Sequence, residues 1–315
     1  MIRIARSGGI RNIVEPMVPS SLIERYTAGS RPATGSERAK SLQRQSLRSS
    51  LFFVGEYLSD NRQCDVAVAA TFEIIKQLAG IGLDVHISVD PTAIGYQTDI
   101  ELCSQNAIAI ATVLANASHG RPGVHCLMLD MEDESLVDYT IELHDRLREM
   151  SLPVALTMQA YLHRTPTDLQ RQIKSGSRVR LVKGAFAPAS KIALTSRRAL
   201  SERYRQLATQ MLQGTSADPP FYPIFGTHDG DIQNYIVRVA AEYGVPKQNF
   251  EFEMLMGVKP ELAGSLAADG YTVRLYVACG PDWWGYVNRR IGESPRNAVL
   301  LLKAICAPGT KGQQQ

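Results

Sequence analysis

Cysteine is sparse in this 315-residue chain and forms no pattern: Cys64, Cys103, Cys126, Cys279 and Cys306 are scattered, odd in number and never spaced as CxxC. That argues against a disulfide framework or a zinc ribbon and predicts reduced thiols in a cytoplasmic protein. Long apolar runs are missing too. None approaches the ~18–20 residues of a membrane span. Met1–Val14 has arginines but no continuous apolar core and no A-x-A site, so no secretory signal is expected. A G-x-G-x-x-G fingerprint is also lacking, which disfavours a Rossmann dinucleotide fold.

Charge of either sign is modest, with a net of +3, but it is unevenly placed. Residues 1–48 hold nine Arg/Lys against three Glu, leaving the remainder slightly acidic. Such a basic arm suits nucleic acid or an anionic membrane surface. No aromatic interleaving or nucleic-acid motif supports the first, so no nucleic-acid partner is expected. A peripheral contact at the inner face of a membrane stays open, beside the plainer reading of an amphipathic helix packed on the main body.

From residue 49 the pattern repeats. Short apolar runs at 50–56, 83–90, 123–130, 153–159, 177–183, 221–228, 249–255 and 271–276 alternate with helical periods near 63–79, 99–117, 134–150, 166–174, 190–213, 230–243, 260–268 and 282–293, and a last helix is expected at 296–306. Eight strand–helix units in about 255 residues predict an α/β fold of the (βα)8 TIM-barrel type. A doubly wound open sheet is the alternative. The expected organisation is a helical arm over 1–48 with a polar lead-in to the first strand, a barrel over 49–307, and a disordered tail over 308–315. Polar residues stand at the strand ends in turn: Glu56, Asp90, Asp130, Gln159, Lys183, His228, Glu253 and Tyr276. In a barrel these line one cavity.

Three segments carry the chemistry. In RLYVACGPDWWGYVNRRIGESPRN (274–297), helical spacing puts Tyr286, Arg289, Arg290 and Glu293 on one side. Paired guanidiniums facing a cavity suit a carboxylate or phosphate; the alternative is a solvated face with an Arg–Glu pair. In VRLVKGAF (179–186), the odd spacing of Arg180 and Lys183 lets both reach one cavity only if the strand ends before Lys183. Lys183 reads as a Schiff-base nucleophile, as in a lyase, as a cation for a phosphate or electron-rich ring, or as a surface lysine. Gly184 and Ala185 after it allow a planar ligand to approach the backbone. Thr227-His228-Asp229 offers hydroxyl, imidazole and carboxylate, but nothing supplies further ligands at useful spacing, so no metal is expected.

LMLDMED (127–133), MQAYLHRTPTDL (158–169), VRLVKGAF (179–186), GTHD (226–229), FEFEMLMG (250–257) and RLYVACGPDWWGYVNRRIGE (274–293), in this order, resemble the proline dehydrogenase family of the monofunctional bacterial type. FFVGEYL (52–58) and RYTAGS (25–30) extend the match weakly, to about 270 residues. The resemblance implies a distorted (βα)8 barrel holding FAD without a Rossmann domain. It implies hydride transfer from the carbon beside the proline nitrogen to flavin N5, giving 1-pyrroline-5-carboxylate, with electrons leaving to a quinone or other acceptor. By resemblance, Asp130 and Arg180 match the active-site carboxylate and arginine. Met131, Gln159, Lys183, Gly184, Ala185, Thr227 and His228 match flavin contacts. Arg289 and Arg290 match the grip on the substrate carboxylate, and Tyr276, Leu255 and Tyr286 match walls of the proline pocket. Glu56 matches an acid pairing with the first arginine, and Glu293 an acid positioning substrate or flavin.

Two residues depart from the family pattern. Asp90 in HISVDPTAIG stands where the family has a lysine, and Phe186 where it has tyrosine. Like charges ~4 Å apart cost about 4 kcal/mol at an effective dielectric of 20, so Asp90 must be turned away, protonated or facing a cation. Cys279 and Met256 also stand where tyrosine is common. If all four surround the cavity, a substituted, larger or amine-bearing relative of proline becomes the expected substrate, and a catalytically impaired ligand-binding barrel the alternative.

Overall fold

The computed structural model describes residues 15, 18–55, 58, 60–186 and 188–292. Eight parallel strands close on themselves in sequence order: β1 (Arg48–Phe53), β2 (His86–Val89), β3 (Cys126–Leu129), β4 (Val154–Gln159), β5 (Arg178–Val182), β6 (Tyr222–Gly226), β7 (Glu251–Leu255) and β8 (Thr272–Cys279). The expected barrel is therefore present, and the open sheet is not. Register pairs such as Phe52–Ser88, Thr157–Arg180 and Arg180–Ile224 fix which alternate residues share the interior.

Ten helices are described: α1 (Ser20–Tyr26), α2 (Pro32–Gln43), α3 (Asn61–Gly80), α4 (Ile100–Ser118), α5 (Val137–Glu149), α6 (Thr165–Lys174), α7 (Arg197–Gly214), α8 (Gly230–Glu242), α9 (Pro260–Ala268) and α10 (Trp283–Gly292). Their buried faces follow from spacing. In α3, Cys64, Ala67, Val68, Thr71, Ile74, Ile75 and Leu78 recur every three or four residues and turn inward. Aspartate carboxylates at 60, 99 and 229 accept backbone N–H groups at the starts of α3, α4 and α8. One expected helix starts late. The period read from 190 begins at Arg197, because Ala193 bridges to Leu162 and Ser196 caps the helix instead. The helix expected at 296–306 and the tail at 308–315 lie outside the described residues.

The polar lead-in 32–43 is in fact a helix of the ring. Ala39 and Leu42 of α2 join the core cluster with Leu51 of β1 and Cys279 of β8. Gly35 lies so close that a Cβ there would stand 3.1 Å from Cys279 Sγ and 3.6 Å from Leu51 Cδ1. α2 thus covers the outside of β8 and β1, where the helix following β8 is ordinarily placed. That following helix, α10, lies over the mouth instead. Its Trp284, Tyr286 and Val287 pack with Leu22 and Tyr26 of α1, Phe52 of β1 and Tyr276 of β8. The bridge from Thr27 to Ala278 and the bond from Ala28 N–H to Ala278 O (2.8 Å) pin the α1–α2 link to the upper end of β8.

The lower interior is polar. The fully buried Arg274 donates Nε (2.8 Å) and Nη2 (3.0 Å) to Glu251, Nη2 to Asp84 (3.0 Å) and Nη1 to Ser49 O (2.9 Å). Burial raises the Asp84 carboxyl, but Arg274 and Arg48 outweigh it and hold it below its ordinary value. Arg274→Met should leave Glu251 and Asp84 buried without their cation and cost about 3–5 kcal/mol. Urea unfolding against wild type measures this; a loss below ~1 kcal/mol would show that water replaces the guanidinium.

Candidate active site

The barrel mouth opens into a cavity of about 670 Å³. Its floor is built on Arg180, one residue inside the end of the interior face of β5. Arg180 Nη2 binds Asp130 Oδ1 and Thr157 Oγ1 (2.9 Å), and Nη1 binds Glu253 Oε1 (2.5 Å). The Tyr276 hydroxyl donates to Asp130 Oδ2 (2.7 Å), so both oxygens of that carboxylate are held. Burial pushes the Asp130 carboxyl above its usual value against the pull of Arg180 and Tyr276. Phe52 (5.3 Å between ring centroids) and Tyr286 (6.4 Å, nearly parallel) flank Tyr276.

One wall is made where β5 and β6 end. β5 stops at Val182, so Lys183 leaves the strand and faces the same cavity as Arg180. Its ammonium binds Asp229 Oδ2 (2.8 Å), while Asp229 Oδ1 accepts the first N–H groups of α8. Gly184 has φ +114°, and a Cβ there would fall 1.5 Å from Cε1 of Tyr161, so only glycine fits between that ring and the cavity. Ala185, Phe186 and Thr227 continue the wall. His228 Nε2 accepts the Leu255 N–H (2.7 Å), which leaves the ring proton on Nδ1. Burial, then the charges of Arg290 and Lys259, lower its pKa to about 4.

The opposite side is set by acids. Asp90 is only 7% exposed and lines the cavity, so it is not turned away. Its turn is anchored from β3: both Glu132 oxygens accept from Thr92, from the hydroxyl (2.6 Å) and from the backbone N–H (3.0 Å). Gln159 Nε2 donates to Met131 O (3.2 Å) and Glu132 O (2.8 Å), which holds Met131 at the cavity. From above, α10 brings Tyr286, Arg289 and Arg290 to the cavity together, as the spacing predicts. The Arg290 guanidinium lies 5.4 Å from the Tyr286 ring centroid.

Asp90, Asp130, Met131, Arg180, Lys183, Gly184, Ala185, Thr227, His228, Leu255, Tyr276, Tyr286, Arg289 and Arg290 therefore line one space. Gln159 is buried beside Met131 and acts on the cavity through it. Glu56 and Glu293 lie outside the described residues. Two of the four departures are corrected. Cys279 points to the outer layer against Gly35 and Leu51, and Met256 is 5% exposed in the main core cluster. Of the four, only Asp90 and Phe186 line the cavity. Glu253, expected at the cavity as a strand-end residue, and Asp229, read as a carboxylate beside His228, both shape the site, as do Glu132 and Tyr161, which were given no role from sequence. The alternation of Glu251 and Glu253 in FEFEML, two residues apart on one strand face, was a readable sign of an acidic interior.

A sequence model of the family described as proline dehydrogenase matches residues 36–300. Proline dehydrogenase 1 of Bacillus subtilis subsp. natto is 30% identical over 282 residues, covering 89% of each chain. Proline dehydrogenase of Deinococcus radiodurans is 29% identical over 287 residues, covering 90% of each. Among solved structures, proline utilization A from Bdellovibrio bacteriovorus inactivated by N-propargylglycine superposes with a TM-score of 0.78 at 18% identity, over 91% of this chain and 34% of that one. That likeness concerns the fold, and the chain spans about a third of that larger protein's length. The curated relatives support an oxidoreductase enzyme. The chain belongs to the proline dehydrogenase family.

The neutral His228 has a consequence for stability. A histidine held well below its unfolded pKa of 6.5 binds fewer protons folded than unfolded between pH 6.5 and about 4. Its stabilising effect is complete above that window and is lost as pH falls through it. His228→Asn should therefore lose less melting temperature between pH 7 and pH 5 than wild type; equal losses would mean the ring is charged in the folded state.

Proposed function

We propose that this cavity binds FAD and oxidises a C–N bond of L-proline or a close cyclic amino acid. The observation that carries the reading is the meeting of two guanidiniums on α10 with the Asp130–Arg180–Tyr276 floor, beside a wall where only glycine fits. The residues present suit a flat, polar-edged ring. Gly184 offers backbone without a side chain, and Gln159 Oε1 is buried with no hydrogen-bond partner among the described residues. A cavity of about 670 Å³ is of ligand size.

In this reading Met131, Gln159, Lys183, Gly184, Ala185, Thr227 and His228 hold the flavin. Lys183 and the Nδ1–H of His228 supply positive charge and a donor toward it. The bound flavin supplies the hydride acceptor, giving 1-pyrroline-5-carboxylate from proline, and its electrons leave to a quinone or other acceptor. The protein's own part is positioning. Arg289 and Arg290 grip the substrate carboxylate bidentately. Tyr276, Leu255 and Tyr286 enclose an apolar ring and exclude water. Asp130, kept in place by Arg180 and Tyr276, faces the cationic ring nitrogen. By resemblance Glu56 is the acid that pairs with the first arginine and Glu293 the acid that positions substrate or flavin; both lie outside the described residues. With a membrane quinone as acceptor, the basic residues 1–48 favour a peripheral contact at the inner face of the membrane; among the described residues no helix is long and apolar enough to cross it.

Asp90 and Phe186 favour a second reading, in which the substrate is a substituted or amine-bearing relative of proline. Asp90 is a carboxylate at the cavity wall, and Phe186 offers no hydroxyl. The purified protein should be yellow, and its colour should bleach anaerobically with the true substrate. A colourless protein that takes up no FAD rejects the proposal. Bleaching by a cyclic amino acid other than proline selects the second reading. If Asp90 redirects specificity, Asp90→Lys should raise kcat/KM for L-proline about tenfold, worth ~1.4 kcal/mol.

A further inference from the structure

Three non-glycine residues among those described hold a left-handed backbone: Ser46, Ser151 and Lys259. Ser46 and Ser151 follow the last turns of α2 and α5 and close them, donating their N–H groups to Gln43 O (3.1 Å) and Arg148 O (2.8 Å). That is the common use of this conformation, at a helix end. Lys259 differs. At φ 47° and ψ 57° it stands before a helix, and Pro260 follows it as the first residue of α9. A side chain with a Cβ is strained there, the proline restricts it further, and glycine or asparagine would fit at lower cost. Such strain persists where its surroundings enforce it, and it gathers at ligand sites.

The side chain that comes with this strain reaches the cavity. Lys259 lines the mouth with Thr227 and His228, and its ammonium donates to His228 O (2.8 Å). The residue is exposed, and that bond uses one of its three N–H donors. The nearby acids are engaged elsewhere: Asp130 and Glu253 meet Arg180, and Asp229 meets Lys183. Among the described residues no carboxylate forms an ion pair with Lys259. A second cation adds to the first, since the charges of Arg290 and Lys259 both act on the His228 ring, which burial keeps neutral. The lip of the cavity at His228 thus carries positive charge, spare donors and no acid to meet them. An anion suits that combination.

In the functional reading above, the substrate carboxylate falls to Arg289 and Arg290. The other anion of that reading is the diphosphate of FAD, and Thr227 and His228 are already placed on the flavin side. We propose that Lys259 binds the FAD diphosphate at the lip of the cavity, its ammonium shared between the phosphate oxygens and the carbonyl of His228. The inference rests on the flavin reading and adds a residue to it. Lys259 acts here in retaining the cofactor, and the strained backbone before α9 is what aims its stem across the mouth toward the turn after β6.

The rate at which FAD leaves the purified holoprotein on dilution, followed by the fluorescence of the freed flavin, tests this. Lys259→Met should release FAD about tenfold faster at low salt, the worth of one charge-assisted contact. Added NaCl should narrow the gap, and Lys259→Arg should stay near wild type. Lys259→Asn suits a left-handed backbone better, so it should release FAD as fast as Lys259→Met without melting lower than wild type. Fast release that comes only with a lowered melting temperature marks a structural role and overturns the proposal, as does a gap that salt leaves unchanged. Wild-type protein that carries no FAD overturns the flavin reading as well. FAD held equally tightly by wild type and Lys259→Met removes the Lys259 assignment alone.

Discussion

A single guanidinium shared by two buried carboxylates organises the centre of this molecule. Arg180 comes from β5, Asp130 from the end of β3 and Glu253 from β7, so satisfying it fixes three strands at the right height on opposite sides of the barrel. Removing any one member leaves a charge stranded in a low-dielectric interior, a penalty of several kcal/mol. The same constraint turns Tyr276 toward Asp130 and brings the flanking rings of Phe52 and Tyr286 with it. The position of the cavity floor therefore follows from the way this charge is met.

Much of the architecture was legible because two periodicities do not overlap. Short apolar runs and three-to-four-residue helical spacing alternate along the chain, and polar strand ends fall where a barrel gathers them. The cavity-facing side of α10 was equally readable, since Tyr286, Arg289 and Arg290 follow helical spacing. What escaped was long-range. PATGSERAKSLQ buries only small or isolated apolar residues, Gly35, Ser36, Ala39 and Leu42, so its sequence gives little sign of the close fit to Cys279. Cys279 itself was misplaced because β8 runs on past Tyr276, and parity then sends 279 outward with Leu275 and Val277. The partner of Glu253 lies 73 residues away, which no local pattern reports.

The interior is arranged in two electrostatic storeys. The lower is built around the fully buried Arg274; the upper, around Arg180, opens to the cavity. This division separates what stabilises the barrel from what prepares the mouth. Variants of the lower group should act chiefly on unfolding, and those of the upper group on ligands. It also explains how acids and cations crowd one cavity without mutual collapse: Lys183 is held by Asp229, Glu132 by Thr92, and each ties a loop to its neighbour as it does so.

The placement of α2 also bears on how the chain reaches its native state. This helix seals against the outer side of β8, which lies more than two hundred residues further along the chain. Until β8 is made, α2 can pack on β1 and α3, but the flank of β1 that pairs with β8 has no strand beside it. Ring closure thus waits for β8, a contact of long sequence separation and correspondingly slow formation. Nascent chains should present an unpaired β1 edge until β8 has been made, the condition under which holding chaperones are most needed.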